Sequence, residues 1–480
     1  MATCVSSDLR VTDPGARDDW GRHLSRMWEE MYSIPGCLGG AIWTAIDVDY
    51  KKISDEYSNY RDWGIIDEWR RTKPEYWYVK KAYSPIRILD KIISLSEAGQ
   101  PIEIQVSNRH DFTNLSEVRI EWSIGNESGI IKSDIPPHST GTISIQTKNT
   151  HLNGKSLSLK FYGPRGFLID TYLLPIGKPV MALEIDERTP TGKVELIEDE
   201  KTIKVKGSNF QWDLDHKSGL IRNATINGQE VFIKGSLLMV VPLRDWRQQE
   251  RPKPTSNDKK GDMYLDEACS NWETEAVTTS KTANYVEIQV KGHYKEADGT
   301  YSMRIDGSGL LTIYYRFTYN DEVNPRRIGI VFDMPKAFDT LRWKRKAQWT
   351  VYPDDHIGRP TGEAKVFSNV KEAESWTKPD WSWFLDNTPF GTNDFCATRQ
   401  NILNFSLTDE DANGIFVQSD GTQHGRAYVE GEQIRLLVAF YYTGRGGPRW
   451  QEIRYKHEQM PLKKGAILED SVRLKLISRD

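Results

Sequence analysis

Cysteine is scarce in this 480-residue chain, which contains four: Cys4, Cys37, Cys269 and Cys396. They lie far apart, without the close Cys-x-x-Cys spacing of a zinc or redox site. Four cysteines are also too few for the dense framework of a disulfide-stapled domain. We therefore expect free thiols, mostly buried.

Long apolar runs are also missing. No stretch approaches the roughly 20 apolar residues that span a bilayer. The first twenty residues carry several charges and no apolar segment, so they do not predict a signal peptide. We expect no contact with a membrane, and no segment of the sequence assigns a compartment.

Charge of one sign is not in excess. Lysine and arginine total 64 against 68 aspartate and glutamate, a formal net charge of −4. The chain therefore has no broad basic field to attract nucleic acid, and we expect no nucleic acid partner. The glycine-rich, Walker A, H-E-x-x-H, G-x-S-x-G and EF-hand motifs are absent as well, so we expect no cofactor and no metal.

Aromatic residues, by contrast, are abundant, with 16 Trp, 21 Tyr and 15 Phe. Indole rings pack against the C–H faces of sugars, and tryptophan is therefore frequent in carbohydrate-handling proteins. Large β-sandwich cores also use many aromatic side chains. Composition alone leaves both interpretations open.

The N-terminal region predicts one helix followed by one strand. Apolar residues recur at helical spacing and are preceded by two acids that suit a first turn: Asp18, Asp19, Trp20, Leu24, Met27, Trp28 and Met31. Ile34-Pro35-Gly36 ends this helix. The run CLGGAIWTAI (37–46) then predicts a strand buried on both faces, as in an α/β unit. A parallel strand needs neighbours, so we expect the chain to begin inside a domain.

A second helix is predicted in RRTKPEYWYVKKAYSP. Thr72 suits its N-cap, Pro74 its first turn, and Pro85 its end. The polar, Tyr-rich residues 48–63 between this helix and the apolar run predict a loop.

From residue 86 onward the hydrophobic pattern alternates with period two. Six or seven short strands within about 90 residues predict an immunoglobulin-like β-sandwich. Nearly 300 further residues of strands and turns follow, with hairpin turns at 217–219 and 227–228, and predict a large two-sheet domain.

Two side chains around the predicted strand are candidates for substrate binding. Trp43 could form a flat wall for a sugar ring, or it could be a core residue. Asp47 could contact substrate hydroxyls or support the pocket, or it could cap a loop or form a salt bridge. Glu29 and Glu30, on the first helix, are expected to face solvent.

Two other sets of residues support rival functions. His356 and His424 could be the acid and base of a sugar epimerase, although histidines in turn-rich segments more often bind backbone groups. Trp381 and Trp383 could form a stacking platform in a non-catalytic carbohydrate-binding protein.

The N-terminal segment resembles the end of the catalytic barrel in glycoside hydrolase family 2, the β-galactosidase group. The family's last barrel strand has a G-G-x-I-W pattern, followed by an exit segment rich in fixed positions. The matching residues here are Gly39, Gly40, Ile42, Trp43, Gly64, Asp67, Arg70, Lys73, Pro74, Lys80, Tyr83 and Pro85. Downstream, GSNFQWDLDHKSGLIRNATINGQEV and DNTPFGTNDFCATRQNI resemble the group's C-terminal small-chain domain, which is similar in fold to galactose mutarotase.

This resemblance implies a mainly β fold in three parts. Residues 1–92 would be the end of a (β/α)8 barrel with its exit helix, 93–183 an immunoglobulin-like sandwich, and 184–480 a large supersandwich. The two catalytic glutamates of the family lie on earlier barrel strands, so the chain would hold no catalytic residue. Trp43 would correspond to a tryptophan of the sugar subsite. An N-terminal half of the same enzyme is then an expected partner, besides a β-galactoside-like carbohydrate.

Overall fold

A computed structural model describes residues 13–51, 57–61, 64–67, 69–94, 100–148, 151–177, 192–242, 269–366, 378, 380–381, 394–444 and 460–479. Within these ranges the protein is mainly β, which confirms the predicted fold class.

Two α-helices lie near the N-terminus. Helix α1 spans Ala16–Ser33 and helix α2 spans Pro74–Ala82. Both match the predicted helices, except that Lys73 rather than Thr72 is the N-cap of α2, with Pro74 in the first turn. The two helices pack against each other, and we call them the helical pair.

The strand predicted over 37–46 does not form, and that prediction is wrong. These residues form only isolated bridges, at Trp43 and between Ile46 and Ile66, and 37–41 are exposed. A buried parallel strand requires a neighbour on each side, and the described residues supply none. Residues 48–63 were predicted as a loop and instead contain a hairpin, β1 (Val48–Lys51) with β2 (Tyr57–Arg61).

Seven strands form a small sandwich. They are β3 (Ile86–Ile88), β4 (Ile102–Asn108), β5 (Arg119–Ile124), β6 (Glu127–Ile131), β7 (Ser139–Ile145), β8 (Ser156–Tyr162) and β9 (Leu168–Pro175). One sheet has the order β3-β4-β7 and the other β6-β5-β8-β9. Alternate residues of each strand point into a shared core, as in Ile102, Ile104 and Val106, which gives the period-two pattern of the sequence.

Eighteen further strands form a large sandwich. They are β10 (Glu195–Glu198), β11 (Thr202–Lys206), β12 (Phe210–Asp215), β13 (Ile221–Ile226), β14 (Gln229–Val231), β15 (Lys234–Pro242), β16 (Glu273–Lys281), β17 (Tyr285–His293), β18 (Ala297–Asp306), β19 (Leu311–Tyr319), β20 (Pro325–Pro335), β21 (Thr340–Arg345), β22 (Thr361–Lys365), β23 (Ile402–Thr408), β24 (Gly414–Gln418), β25 (His424–Glu430), β26 (Gln433–Tyr442) and β27 (Ala466–Ile477).

These strands make two nine-stranded sheets. One has the order β10-β11-β12-β13-β15-β20-β26-β25, with β14 paired to β13, and the other β16-β17-β18-β19-β27-β24-β23-β21-β22. Both sheets contribute to one apolar core, in which Trp212 of the first sheet and Ile313 of the second are fully buried. The predicted turn at 227–228 joins β13 to β14, with Asn227 and Gly228 both at positive φ, as a tight hairpin turn requires.

Candidate functional site

The segment that carries Trp43 lies on the surface beyond helix α1. The Trp43 side chain is 62% exposed and Leu38 is fully exposed. Trp43 is therefore neither a core residue nor part of a closed pocket among the described residues. An exposed indole on a short extended segment presents a flat apolar surface of the kind that packs on a sugar ring.

Asp47 lies at the end of the same segment and is buried. Its Oδ1 accepts a hydrogen bond from the Gly64 backbone N–H at 2.6 Å, and its Oδ2 pairs with the buried Lys73 ammonium. The Asp47 backbone N–H also donates to Ile66 O at 2.9 Å. Asp47 thus ties the Trp43 segment to the chain that leads into helix α2.

The first turn of helix α1 is bound to the large sandwich by three buried aspartates. Asp13 accepts hydrogen bonds from the backbone N–H and the hydroxyl of Thr398, both at 2.8 Å, and pairs with Arg327. Burial works to raise the pKa of Asp13, but Arg327, Arg426 and the Thr398 hydrogen bonds outweigh it and hold that pKa well below its usual value.

Asp18 and Asp19 complete this set. Asp18 accepts hydrogen bonds from Arg345 Nη1 at 2.6 Å and from the Tyr78 hydroxyl of helix α2. Asp19 accepts from Gln400 Nε2 at 2.9 Å and from the Gly444 N–H at 3.0 Å. The sequence predicted that Asp18 and Asp19 interact favourably with the helix dipole. No local pattern marks their buried partners, which lie 60 to 425 residues away in the chain.

Helix α1 also binds the small sandwich. Arg109 donates to both carboxylate oxygens of Glu29, at 2.9 and 2.8 Å, and Arg87 Nε lies 3.3 Å from the same group. The Arg109 guanidinium stacks over the Tyr32 ring at 4.4 Å. Glu29 was predicted to face solvent, and its side chain is 44% exposed but ion-paired with two arginines, whereas Glu30 is exposed and pairs with Arg26.

Helix α2 contributes a buried lysine to the contact with both sandwiches. The Lys81 ammonium pairs with Asp170 of the small sandwich and lies over the rings of Tyr172, at 4.3 Å, and Trp349, at 5.2 Å. Burial lowers the pKa of Lys81 even though Asp170 opposes this effect. Each ammonium face is thus occupied by an acceptor or an aromatic ring.

Both histidines of the rival epimerase hypothesis bind backbone groups; His356 is buried and His424 is partly buried. His356 Nδ1 accepts from the Gly358 N–H at 2.9 Å, so its Nε2 carries the proton and donates to Pro74 O at 3.0 Å. His424 Nδ1 accepts from the Asn401 N–H at 3.2 Å. Burial lowers the pKa of each imidazole to about 4, so both are neutral near pH 7.

The other candidate residues are placed as follows. Trp381 is half-buried and its carbonyl accepts from Arg71 Nη1 at 3.1 Å, while Trp383 lies outside the described residues. Cys37, Cys269 and Cys396 are free thiols, but Cys269 is buried and Cys37 exposed, so the expectation of mostly buried thiols holds only in part. Cys4 lies outside the described residues.

No group of three or more His, Cys, Asp or Glu side chains among the described residues could hold a metal ion. Neither described helix has the length and apolar character needed to cross a membrane.

Comparison with known proteins gives two family matches, the first within the small sandwich and the second within the large one. Residues 104–173 match β-galactosidase domain 4, and residues 206–369 match the β-galactosidase small chain. A β-galactosidase of Priestia megaterium is 21% identical over 452 residues, covering 82% of this chain and 39% of that protein. The chain therefore spans about two fifths of this relative's length.

The solved structures to which this chain was matched include two sugar epimerases. Galactose 1-epimerase from Lactobacillus acidophilus is 9% identical and covers 60% of this chain and 99% of its own, with a TM-score of 0.31. A putative aldose 1-epimerase from Escherichia coli is 10% identical and covers 60% of this chain and 100% of its own, also with a TM-score of 0.31. Both TM-scores are low.

Proposed function

The chain is a β-galactosidase-like protein, and on that premise we propose that it is the C-terminal portion of a retaining β-glycosidase that hydrolyses terminal β-galactosides. The observation that carries this proposal is the succession of domain 4 and small-chain matches along one chain. A retaining glycosidase needs two carboxyl groups about 5–5.5 Å apart, one as nucleophile and one as acid/base. In the family that this sequence resembles, both glutamates precede the segment matched by Gly39–Trp43.

In this proposal the indole of Trp43 lines the sugar subsite. Its exposure leaves the indole face open to a pyranose ring, which would bind through C–H contacts with the π system. Asp47 fixes the position of the Trp43 segment, because its two carboxylate oxygens bind the Gly64 N–H and the Lys73 ammonium. The chain by itself would bind part of the substrate and would not cleave it.

The partner in this proposal is an N-terminal half of the same kind of enzyme. The surface between helix α1 and Asp47 exposes the apolar side chains Ile34, Leu38 and Trp43. An exposed apolar surface of this kind marks a contact site or an aggregation hazard. The matched relative has about three fifths of its length outside the match, enough for the remaining barrel strands.

Activity assays test the proposal directly. The chain is purified alone and after co-expression with the polypeptide encoded immediately upstream of Met1, and both samples are assayed on a chromogenic β-galactoside. We expect no turnover by the chain alone and turnover by the co-expressed pair. Turnover by the chain alone at the rate of the pair would overturn the assignment of the catalytic groups to the partner.

Two Trp43 variants separate the sugar subsite from the fold. Trp43→Ala is expected to lower kcat/KM of the co-expressed pair by roughly 2- to 12-fold, because an aromatic stacking contact contributes about 0.5–1.5 kcal/mol. Trp43→Phe keeps a ring and serves as the matched control, with a smaller loss. Equal activity in all three proteins would remove Trp43 from the site.

A non-catalytic carbohydrate-binding protein is the second candidate, favoured by the same exposed Trp43. In that case galactose would quench the tryptophan fluorescence of the chain alone, and Trp43→Ala would abolish the effect. The co-expressed pair would then show no turnover on the chromogenic substrate.

A further inference from the structure

The junction between the helical pair and the large sandwich contains two histidines whose hydrogen bonds require a neutral imidazole ring. His356 and His424 each use Nδ1 to accept a backbone N–H, from Gly358 and Asn401. A protonated imidazole has a proton on both ring nitrogens and can accept no hydrogen bond. Protonation therefore breaks both contacts at once.

Each of these two hydrogen bonds stabilises a segment of the large sandwich region that contacts the helical pair. The loop around His356 contacts helix α2 directly, through Nε2 to Pro74 O at 3.0 Å and through packing of the imidazole on the Tyr78 ring at 4.8 Å. Residues 398–401 form a second segment, which we call the latch loop. Its Thr398 and Gln400 bind Asp13 and Asp19, and its Asn401 is bound by His424.

The charged groups around the two rings differ in sign. Asp18, Glu75 and Asp355 lie near His356 and favour its protonation, while burial opposes it more strongly; Tyr78 and Tyr352 are the other titratable neighbours. Around His424, Arg22 and Arg345 oppose protonation and Asp19 favours it, and the Tyr442 ring of β26 lies 6.0 Å from the imidazole. Both rings are thus kept neutral while the junction is closed, and both become free to take up a proton when it opens.

We propose that this junction is a latch that acid opens, with His356 and His424 as its triggers. Lowering the pH releases the helical pair, and with it the Trp43 segment, from the large sandwich while both sandwiches stay folded. His356 is the one buried histidine among the described residues, and His424 lies at the edge of the large sandwich, at the start of β25, where it contacts the latch loop.

The pH window follows from proton linkage. Above the ordinary histidine pKa of 6.5, neither the closed nor the open junction binds a proton at these rings. Between pH 6.5 and about 4 the open form binds protons more readily than the closed form, which favours opening by about 150-fold per histidine at pH 4. The pKa of Asp13 and of Asp18 is already lowered in the closed form, so these carboxylates contribute only at lower pH.

Hydrogen exchange read by mass spectrometry tests the latch. Peptides from helix α1, helix α2, the small sandwich and the large sandwich are followed from pH 7 to pH 4, with rates corrected for intrinsic exchange. We expect the helical peptides to lose protection at a higher pH than strands such as β4 and β19. Loss of protection in all peptides at the same pH would mean global unfolding and would overturn the proposal.

Variants then identify the triggers. His356→Gln combined with His424→Gln removes both titrating rings, and we expect the midpoint of helix deprotection to fall by at least one pH unit. His293→Gln, at a partly exposed histidine on β17, is the matched control and should leave the midpoint unchanged. An unchanged midpoint in the double variant would overturn the proposal.

A measurement on the unaltered protein covers the case in which the double variant does not fold. Slow exchange of the imidazole C2 hydrogens reports the pKa of each histidine by mass spectrometry. We expect His356 and His424 each to titrate at least one pH unit below the ordinary histidine value of 6.5. Titration of both rings near 6.5 would also overturn the latch.

Discussion

Asp18 and Arg345 form a buried ion pair at 2.6 Å although 327 residues separate them in sequence. Arg345 also donates to the carbonyl of Gly358, so this one guanidinium joins helix α1 to the loop that carries His356. The contact places the N-terminal helix against the large sandwich as a fixed part of the fold. No local pattern along the chain indicates that these two residues pair.

Removing the Asp18 carboxylate should strongly destabilise the protein. Asp18→Asn leaves the Arg345 charge buried without its counter-charge, and loss of one partner of a buried pair costs about 3–5 kcal/mol. The midpoint of urea unfolding measures the effect. Glu30→Gln, which breaks the exposed Arg26–Glu30 pair, is the control and should change stability by less than about 0.5 kcal/mol. Similar midpoints for both variants would contradict the structural role of Asp18.

Gly64 should tolerate no side chain. A Cβ at this position would lie 2.4 Å from Asp47 N and 2.5 Å from Ile46 C, both backbone atoms that cannot rotate away. Gly64→Ala should therefore cost about 1–3 kcal/mol and displace the Trp43 segment. Gly40→Ala is the matched control, since its nearest neighbour is the flexible end of Met31 at 3.4 Å. Thermal unfolding of the two variants compares them, and equal melting temperatures would refute the prediction.

Lys81 and Asp170 should behave as a coupled pair. Lys81→Met removes the ammonium and leaves the buried Asp170 carboxylate unpaired, at a cost of about 3–5 kcal/mol. Adding Asp170→Leu removes the stranded charge and should restore most of the lost stability. Urea unfolding of the two single variants and the double variant gives the coupling free energy. A double variant less stable than Lys81→Met would contradict this account.

Below pH 4 the stability should depend on Asp13. Its pKa is lower in the folded protein than the ordinary 3.8, so its contribution is complete above that value and is lost as the pH falls through the folded pKa. Asp13→Asn should be less stable at pH 7 and should lose less stability between pH 4 and pH 2 than the unaltered protein. Urea midpoints across this range measure the difference, and parallel curves for the two proteins would disprove it.

The sequence predicted much of the secondary structure because the relevant signals are local. Alternating residues such as Ile102, Ile104 and Val106 show which face of a strand is buried, wherever its partners lie. Pro35 and Gly36 end helix α1 through their own backbone preferences. For the same reason the residue types Asn227 and Gly228 were enough to predict the hairpin turn between β13 and β14.

The sequence alone determined the mainly β class, the two helices and the presence of an apolar segment around Trp43, since each follows from residue type and spacing. Only the tertiary structure decided that this segment is exposed, because a strand is stabilised by neighbours and the described residues provide none. Tertiary structure also decided the partners of Asp13, Asp18 and Asp19. A buried charge is stable only beside a counter-charge, and folding brings that counter-charge from positions that no local pattern marks.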